Sequence, residues 1–419
     1  MLAFQGEERM KRRSLASISA CAVLALALSA CNAGSQSGSG PGITPPTSAG
    51  YDGQGQGGNG QGQGGQGQGG NGQGGQCQND QGNGHFNKSG DILISDQFNN
   101  RVIEIDPASH KIIWSFGGSS TAGPHTVVGV NDAQRVGCLT LMAGTGVPAN
   151  SPPLEPGCGN GCPDNRVMLV DQKKKIVWQY GQTGVAGSGP DQLNAPVQNT
   201  FLPNGHVLIT DQANQRVIEV TKHKQIVWQY GATGSSGSGA GQLNNPNSAE
   251  LLKNGDILIA DEGNNRVIEV NRDKSIVWQY QSGLNAPAFA SRLSNGNTLI
   301  TDGGNNRVVE IDSNSNVVWT YSTLVSGGNS NPLPSRAVRL RDGDTLISDQ
   351  FNDRVIQVRK SGSSAGTIVF TQGMLNDPGD GFNQLNAPYD AKVVNDYTGL
   401  TNPHRGEGGG DTTGIPIKD

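Results

Sequence analysis

From about residue 90 to residue 395 the chain alternates short apolar runs with short polar ones. Residues 246–252, 256–261, 266–270 and 275–280 are rich in β-favouring side chains. They are separated by Asn254-Gly255, by the polar stretch 262–265 and by 271–274. Four such runs, each bounded by turn residues, predict a four-stranded antiparallel meander. Ile257, Leu258 and Ile259 are consecutive apolar residues, as are Ile276, Val277 and Trp278. A strand exposed on one face would alternate instead, so these strands are expected to be covered on both faces.

The unit recurs. The spacing D-x-x-N-x-R joins Asp96 to Arg101, Asp211 to Arg216, Asp261 to Arg266, Asp302 to Arg307 and Asp349 to Arg354, and a degenerate copy ends at Arg166. Trp114, Trp178, Trp228, Trp278 and Trp319 follow in register, with Phe370 in the sixth place. Repeats that cannot bury their apolar faces alone must stack, and six stacked four-stranded sheets around an axis make an all-β, six-bladed β-propeller. The first copy starts directly at Asp91-Ile92, without a leading strand. Residues 388–394 match the leading strands that begin at Pro196, Pro246 and Pro287. They are therefore predicted to form the innermost strand of the first blade and close the ring.

A repeated residue is first a scaffold residue. Each Asp and Arg stand across a hairpin end, where an ion pair contributes about 0.2–1 kcal/mol and sets register; five intact copies favour that role over calcium binding or catalysis. The recurring Trp residues are read as packing between blades, not as a quinone platform. No cofactor and no metal site is expected, since His ligands at metal spacing are missing and thiolate sites need a reducing compartment.

The second copy departs from the pattern. Gly161 stands where the Asp is expected, after an insertion at 145–160 carrying Pro148, Pro152, Pro153, Pro156 and Cys158, with Cys162 just beyond. In an exported chain paired cysteines imply disulfides. Cys158 with Cys162 would staple the loop, and Cys77 with Cys138 would pin the segment preceding the propeller, one of three connectivities open to four thiols.

The ends explain why export is expected. Lys11-Arg12-Arg13 precede an apolar run over 15–28 that is too short to span a bilayer, and Leu28-Ser29-Ala30-Cys31 follows. This is an export signal, and its last four residues resemble the lipobox of bacterial lipoproteins. That resemblance implies cleavage before Cys31 and lipidation of Cys31, and Asn32 resembles the outer-membrane sorting pattern. Residues 32–84 are Gly, Gln, Ser, Asn and Pro with almost no large apolar side chain, a composition that stays unfolded and serves as a tether on the order of 40 Å in reach. Residues 85–405 are expected to form the propeller as one domain and 406–419 a loose tail. The formal charge of −5 offers no basic surface for phosphates, so nucleic acid is excluded as a partner.

The pattern P-x-x-A-x-x-L-x-N-G-x-x-L-I-x-D-x-x-N-x-R-V-x-E, followed by I-V-W-x-Y-G and the glycine-rich Gly237-Ser238-Gly239-Ala240-Gly241-Gln242-Leu243-Asn244, resembles NHL-repeat propellers over about three quarters of the chain. That resemblance implies fold more than function, since such propellers include binding platforms, lyases and hydrolases. Residues 103–118 also look like blades of bacterial arylsulfotransferases. In that family a channel histidine is the nucleophile, which singles out His125. It follows Pro124 at the place of Val197, Asn247, Ala288, Leu333 and Tyr389, so it is expected to begin an innermost strand near the channel mouth, with Arg292, Arg336 and Arg339 on later innermost strands. The plainer reading is a solvent-facing histidine, as with His85, His110, His206, His223 and His404 at turns or tails.

These observations favour a monomeric, lipid-anchored propeller in the bacterial outer membrane, binding a protein or small-molecule ligand. The alternatives are a channel-centred transferase or hydrolase using His125, and an envelope structural protein assembling through the Gln/Gly tract.

Overall fold

The computed structural model describes residues 86–149 and 155–403; the expectations for Cys31, Cys77, the tether and the tail fall outside them. Its strands form six antiparallel sheets of four. The innermost strands of successive blades lie against one another in a closed circle, the last against the first. Blade 1 takes its innermost strand, Pro388–Val393, from the far end of the chain; it pairs antiparallel with Ile92–Asp96. The expected closure is thus observed, and blade 1 is completed to four strands.

Blade 4 shows why the consecutive apolar residues are needed. Its strands are Pro246–Leu251, Ile257–Asp261, Arg266–Val270 and Ile276–Tyr280. Because side chains alternate across a strand, Ile257, Ile259 and Ile268 pack against Leu208 and Val217 of blade 3, while Leu258 and Val267 pack against Ala290 and Ile300 of blade 5. The core is therefore divided among the seams between blades, and each seam depends on two repeats. The outermost strands face solvent, and each carries a bulge one residue before the Trp or Phe position, as at Val277 between Ile276 and Trp278. Bulges twist an edge away from pairing, which allows Val227, Val277 and Val318 to remain exposed there.

The repeated Asp is not the surface ion-pair partner expected from the sequence. Asp96, Asp211, Asp261, Asp302 and Asp349 are fully buried, because each ends a second strand beneath a one-turn 3₁₀ helix. In blade 4, Asp261 Oδ2 accepts Arg266 Nε at 2.7 Å and Asn264 Nδ2 at 2.8 Å, while Oδ1 accepts the Asn244 N–H at 2.8 Å. The same set recurs with Asn386 on Asp96, Asn194 on Asp211 and Asn285 on Asp302. One carboxylate thus ties hairpin, 3₁₀ turn and inter-blade connection together. Burial pushes the Asp261 carboxyl up, against its hydrogen bonds and Arg266, and removing one partner of such a pair costs about 3–5 kcal/mol, well above the surface figure.

Blade 6 lacks one of these bonds, since Pro332 stands where the other connections offer an N–H. Burial pushes Asp349 up to about 6 despite Arg354 and Asn352.

A second contact joins each blade to the next. The residue before each conserved-spacing Arg adopts left-handed backbone, φ 52° at Asn100 and 54° at Asn265, a conformation that Asn tolerates well. Its side-chain oxygen accepts an N–H from the following connection: Asn100 from Gly129, Asn165 from Ala195, Gln215 from Asn245, Asn265 from Ala286 and Asn306 from Leu333. At the ring-closing seam the acceptor is Asp353, bonded to the Ala387 N–H at 3.0 Å.

Two outcomes follow from ring closure. Ending the chain at Ala387 removes the innermost strand of blade 1; the product should elute as aggregate without a cooperative melt, and a soluble, cooperatively melting product would refute the closure role. Burial, with Asp96, Asp377 and Asp349 nearby, pushes Asp353 up to about 7. The folded state then holds an extra proton between the unfolded value near 3.8 and about 7, so this group's contribution to stability falls as pH rises through that window. Asp353→Asn keeps the acceptor and removes the ionisation. It should stabilise the chain by about 1–3 kcal/mol at pH 8 and by almost nothing below pH 4, read by denaturant melts.

Candidate functional site

The second strands are mainly apolar before their terminal Asp, whereas the innermost strands mix in more polar residues, and these converge on the axis in three layers. At the face carrying the 3₁₀ turns and inter-blade connections, Tyr389 of blade 1 reaches the opposite blade: its hydroxyl accepts Asn247 Nδ2 at 2.8 Å and lies 3.1 Å from Asn247 Oδ1. Asn247 also donates to Glu262 Oε2 at 2.8 Å, and Gln97 bridges Asn131 and Gln350. Burial raises Glu262 to about 7, opposed only by the Asn247 bond, and burial beside Glu262 raises Tyr389.

The middle layer is ionic. Asp132 Oδ1 accepts Arg336 Nη2 at 2.6 Å and Lys392 Nζ at 2.7 Å; Lys392 also donates to Asp390 Oδ2 at 2.5 Å, and Arg336 Nε lies 2.9 Å from Asp390 Oδ1. Asn199 Nδ2 donates to Asp132 Oδ2 at 2.5 Å. Arg336 stacks on Phe289 at 4.1 Å. Burial, with Asp390 beside it, pushes Asp132 up against Lys392 and Arg336; at Asp390 burial acts the same way, but the two cations outweigh it and hold that carboxyl low. Two acids face two bases with all four side chains buried. Such a cluster is costly to assemble, and losing any one member leaves an unpaired charge. The third layer, at the opposite face, comprises Gln134, Gln198, Glu250 and Thr401.

Of the arginines expected near the channel only Arg336 turns to the axis. Arg292 and Arg339 point into seams: Arg292 covers Trp278 at 4.7 Å and pairs with Glu269, and Arg339 covers Trp319 at 5.1 Å and pairs with Glu310. The Trp residues are inter-blade contacts in a direct sense, because the indole N–H of Trp114, Trp178 and Trp228 donates to Gln172, Lys222 and Arg272 in the next blade.

His125 does not begin an innermost strand. That strand of blade 2 is Val130–Val136; His125 sits five residues earlier in an exposed turn closed by the Gly123–Thr126 bridge, its Nδ1 3.4 Å from Lys174 O in the outer hairpin. The match to Pro124 misled because blade 2 uses no proline to start its innermost strand. No histidine among the described residues joins the axial layers.

Blade 2 also relocates its carboxylate. The register partner of Arg166 is Gly144, not Gly161. Asp164, two residues before Arg166, supplies the missing group: Oδ1 pairs with Arg166 Nε and Oδ2 accepts the Val128 N–H at 2.7 Å. A Cβ on Gly144 would run into Asp164 Oδ2, so the glycine makes room for the displaced carboxylate. A disulfide joins Cys158 to Cys162, and Cys158 packs in a cluster with Phe98 and Phe351 of the blade 1 and blade 6 turns. The stapled loop thus lies over one side of the axial mouth. Cys138 is also disulfide-bonded.

Comparison with known proteins places this architecture. The profile of the family described as outer membrane protein assembly factor BamB matches residues 163–388, more than half of the chain. The chain belongs to the BamB family. No curated protein matches it in sequence. Among solved structures, a Bacteroides caccae protein of unknown function is similar at 15% identity, covering 69% of this chain and 94% of that one with a TM-score of 0.49. Virginiamycin B lyase from Staphylococcus aureus is similar at 16% identity, with 61% and 71% covered and a TM-score of 0.39. The WD40 propeller domain of Doa1 is similar at 10% identity, with 68% and 84% covered and a TM-score of 0.42. Likeness at this level bears on neither activity nor ligand. This BamB-family chain contains no helix among its described residues long and apolar enough to cross a membrane.

The relocated carboxylate is testable as a double-mutant cycle. Gly144→Asp should destabilise by about 2–4 kcal/mol through overpacking and like charge, and Asp164→Gly by a similar amount. Together they rebuild the arrangement of the other blades, so the double variant should recover at least half of the loss in denaturant melts; strict additivity would refute the exchange.

Proposed function

We propose that the chain is a protein-binding scaffold of the bacterial cell envelope, tethered through lipidated Cys31 and contributing to outer membrane protein assembly as its family's name describes. The observation that carries this is the face bearing the inter-blade connections. Val185, Leu324, Met374 and Phe382 stand exposed there, Phe382 at 71%, on loops held rigid from below by the buried Asp and the left-handed acceptors. Rigid loops presenting apolar side chains are a binding surface. The glycine-rich connections are themselves built around a side chain: Gln192 accepts the Gly189 N–H and Gln242 the Gly239 N–H, and a Cβ on Gly187 or Gly237 would collide with those glutamines.

A transferase or hydrolase centred on His125 lacks the geometry that would favour it, because that side chain stands in an exposed turn against the outer hairpin of blade 2, away from the axis.

The test uses the chain without residues 1–31 and a urea-unfolded eight-stranded outer-membrane β-barrel protein as probe. On dilution, fluorescence anisotropy should report binding by the wild-type chain and an affinity about tenfold lower for Met374→Ser/Phe382→Ser, the loss expected for about 1.4 kcal/mol of apolar contact. No binding by wild type, or equal affinity in the variant, would overturn the reading.

A further inference from the structure

After the innermost strand of blade 1 ends at Val393, the chain crosses the mouth of the axis opposite the loop face. Asp396 Oδ2 accepts the Arg341 N–H of blade 6 at 2.8 Å, and Tyr397 OH donates to Arg135 O of blade 2 at 3.1 Å. Gly399, at φ +75°, lies close against Leu293 and Ser291 of blade 5, where a Cβ would come within 3.2 Å of Leu293. Thr401 then enters the axis and is buried. Its N–H and hydroxyl both meet Glu250 Oε2, at 2.8 and 2.6 Å. Its Oγ1 accepts the Leu251 N–H at 3.0 Å, and its carbonyl accepts Gln134 Nε2 at 3.4 Å. Glu250 is held in place from the other side by Gln198 Nε2 at 2.7 Å.

Every polar group of one residue, backbone N–H, backbone C=O and hydroxyl, is thus read by groups of blades 2 and 4. A carboxylate accepting both an amide N–H and a hydroxyl selects serine or threonine over an aliphatic residue of the same size, which would cost Glu250 one donor and leave the Leu251 N–H without its acceptor. Apart from such side-chain and loop contacts, the segment that delivers Thr401 is not held by strand pairing. Residues 394–403 form no strand, and of 395–403 only Thr401 and Pro403 are buried, the profile of a segment that opens below the global unfolding energy. A groove of about 420 Å³ lined by Ile92, Leu340, Arg341, Phe370 and Asp396 opens beside its root.

We propose that this second axial mouth is a peptide-binding site selective for a Ser or Thr residue that follows a turn, as the Tyr397–Leu400 turn precedes Thr401, occupied in cis by the chain's own residues 396–403, which a partner polypeptide displaces. It is independent of the loop-face scaffold, since it uses the opposite end of the axis.

The experiment uses a chain ending at Asn395, which keeps the ring-closing strand, and a fluorescein-labelled peptide of residues 396–403. The shortened chain should bind the peptide, with at least tenfold weaker binding for the peptide carrying Thr401→Ala and for the shortened chain carrying Glu250→Gln. The full chain should bind at least a hundredfold more weakly, because its own segment competes. No binding by a shortened chain that melts cooperatively, equal binding of the Ala peptide, or equal binding by the full chain would overturn the proposal. Should the shortened chain not fold, hydrogen exchange on the full chain decides. The Thr401 amide should exchange at least a hundredfold faster than those of strand Ile257–Asp261, and equal protection would show a permanent plug and refute a displaceable one.

Discussion

The structure depends on a carboxylate that water cannot reach. Five of the six blades end their second strand with an Asp at zero exposure, and the burial is tolerable because the oxygens are filled, as at Asp261, by an Arg, an Asn and a backbone N–H from the inter-blade connection. A buried charge is expensive unless hydrogen-bonded and paired, so each of these groups is obliged to stay where it is. That obligation turns a flexible connection into a fixed one. The left-handed Asn or Gln one residue before the Arg then fixes the start of the next blade from the other side. Cooperation around the ring comes from these two bonds together with the apolar residues shared across each seam.

The two exceptions show that the constraint lies in the carboxylate and not in its place in the chain. Blade 2 moves it from the end of the second strand to Asp164, and Gly144 gives up its side chain to leave the space. Arg166 is satisfied as before, and like Arg101 and Arg266 it also donates to carbonyls of a connection, here Gly123 and Thr126. Blade 6 keeps the Asp but loses a donor at Pro332, and burial raises its carboxyl with only Arg354 and Asn352 to oppose it. A site that tolerates a change of supplier but not loss of charge is structural, and that argues against assigning the repeated Asp and Arg a catalytic part.

Legibility in the sequence followed the repeat. Blade number, strand order and the closing strand at 388–393 could be read because six copies with one spacing leave few alternatives, and because consecutive apolar residues such as Ile257 to Ile259 demand cover on both faces. The depth of the Asp–Arg pairs could not, since spacing sets register but says nothing of what lies above a hairpin end. Gly161 was misplaced for a related reason: with an insertion between strands, only pairing identifies Gly144 as the partner of Arg166. His125 was misplaced because a proline marks the innermost strand in blades 1, 3, 4 and 5 but not in blade 2. The axial groups left a weaker signal. Asn-Asp-Ala-Gln-Arg at 131–135 and Tyr-Asp-Ala-Lys at 389–392 stand out as polar beside the apolar second strands, yet which of them meet depends on the ring.

Why the axis is polar follows from what six innermost strands share. Each presents an edge with no further strand to pair, so backbone groups such as the Leu251 N–H need acceptors that apolar filling could not provide. Side chains from other blades, and at one end Thr401, supply them. The cost is a column of acids and bases that must all be matched, and they are matched between distant parts of the chain: Asp132 with Lys392 and Arg336, Glu250 with Thr401. Segments at opposite ends of the sequence therefore complete the same column. The end filled by side chains of the closed ring is held by residues on the strands and 3₁₀ turns of several blades, whereas the end filled by Thr401 is held by a segment without strand pairing. The physical asymmetry between the two mouths is what makes the second the place where one polypeptide could take the position of another.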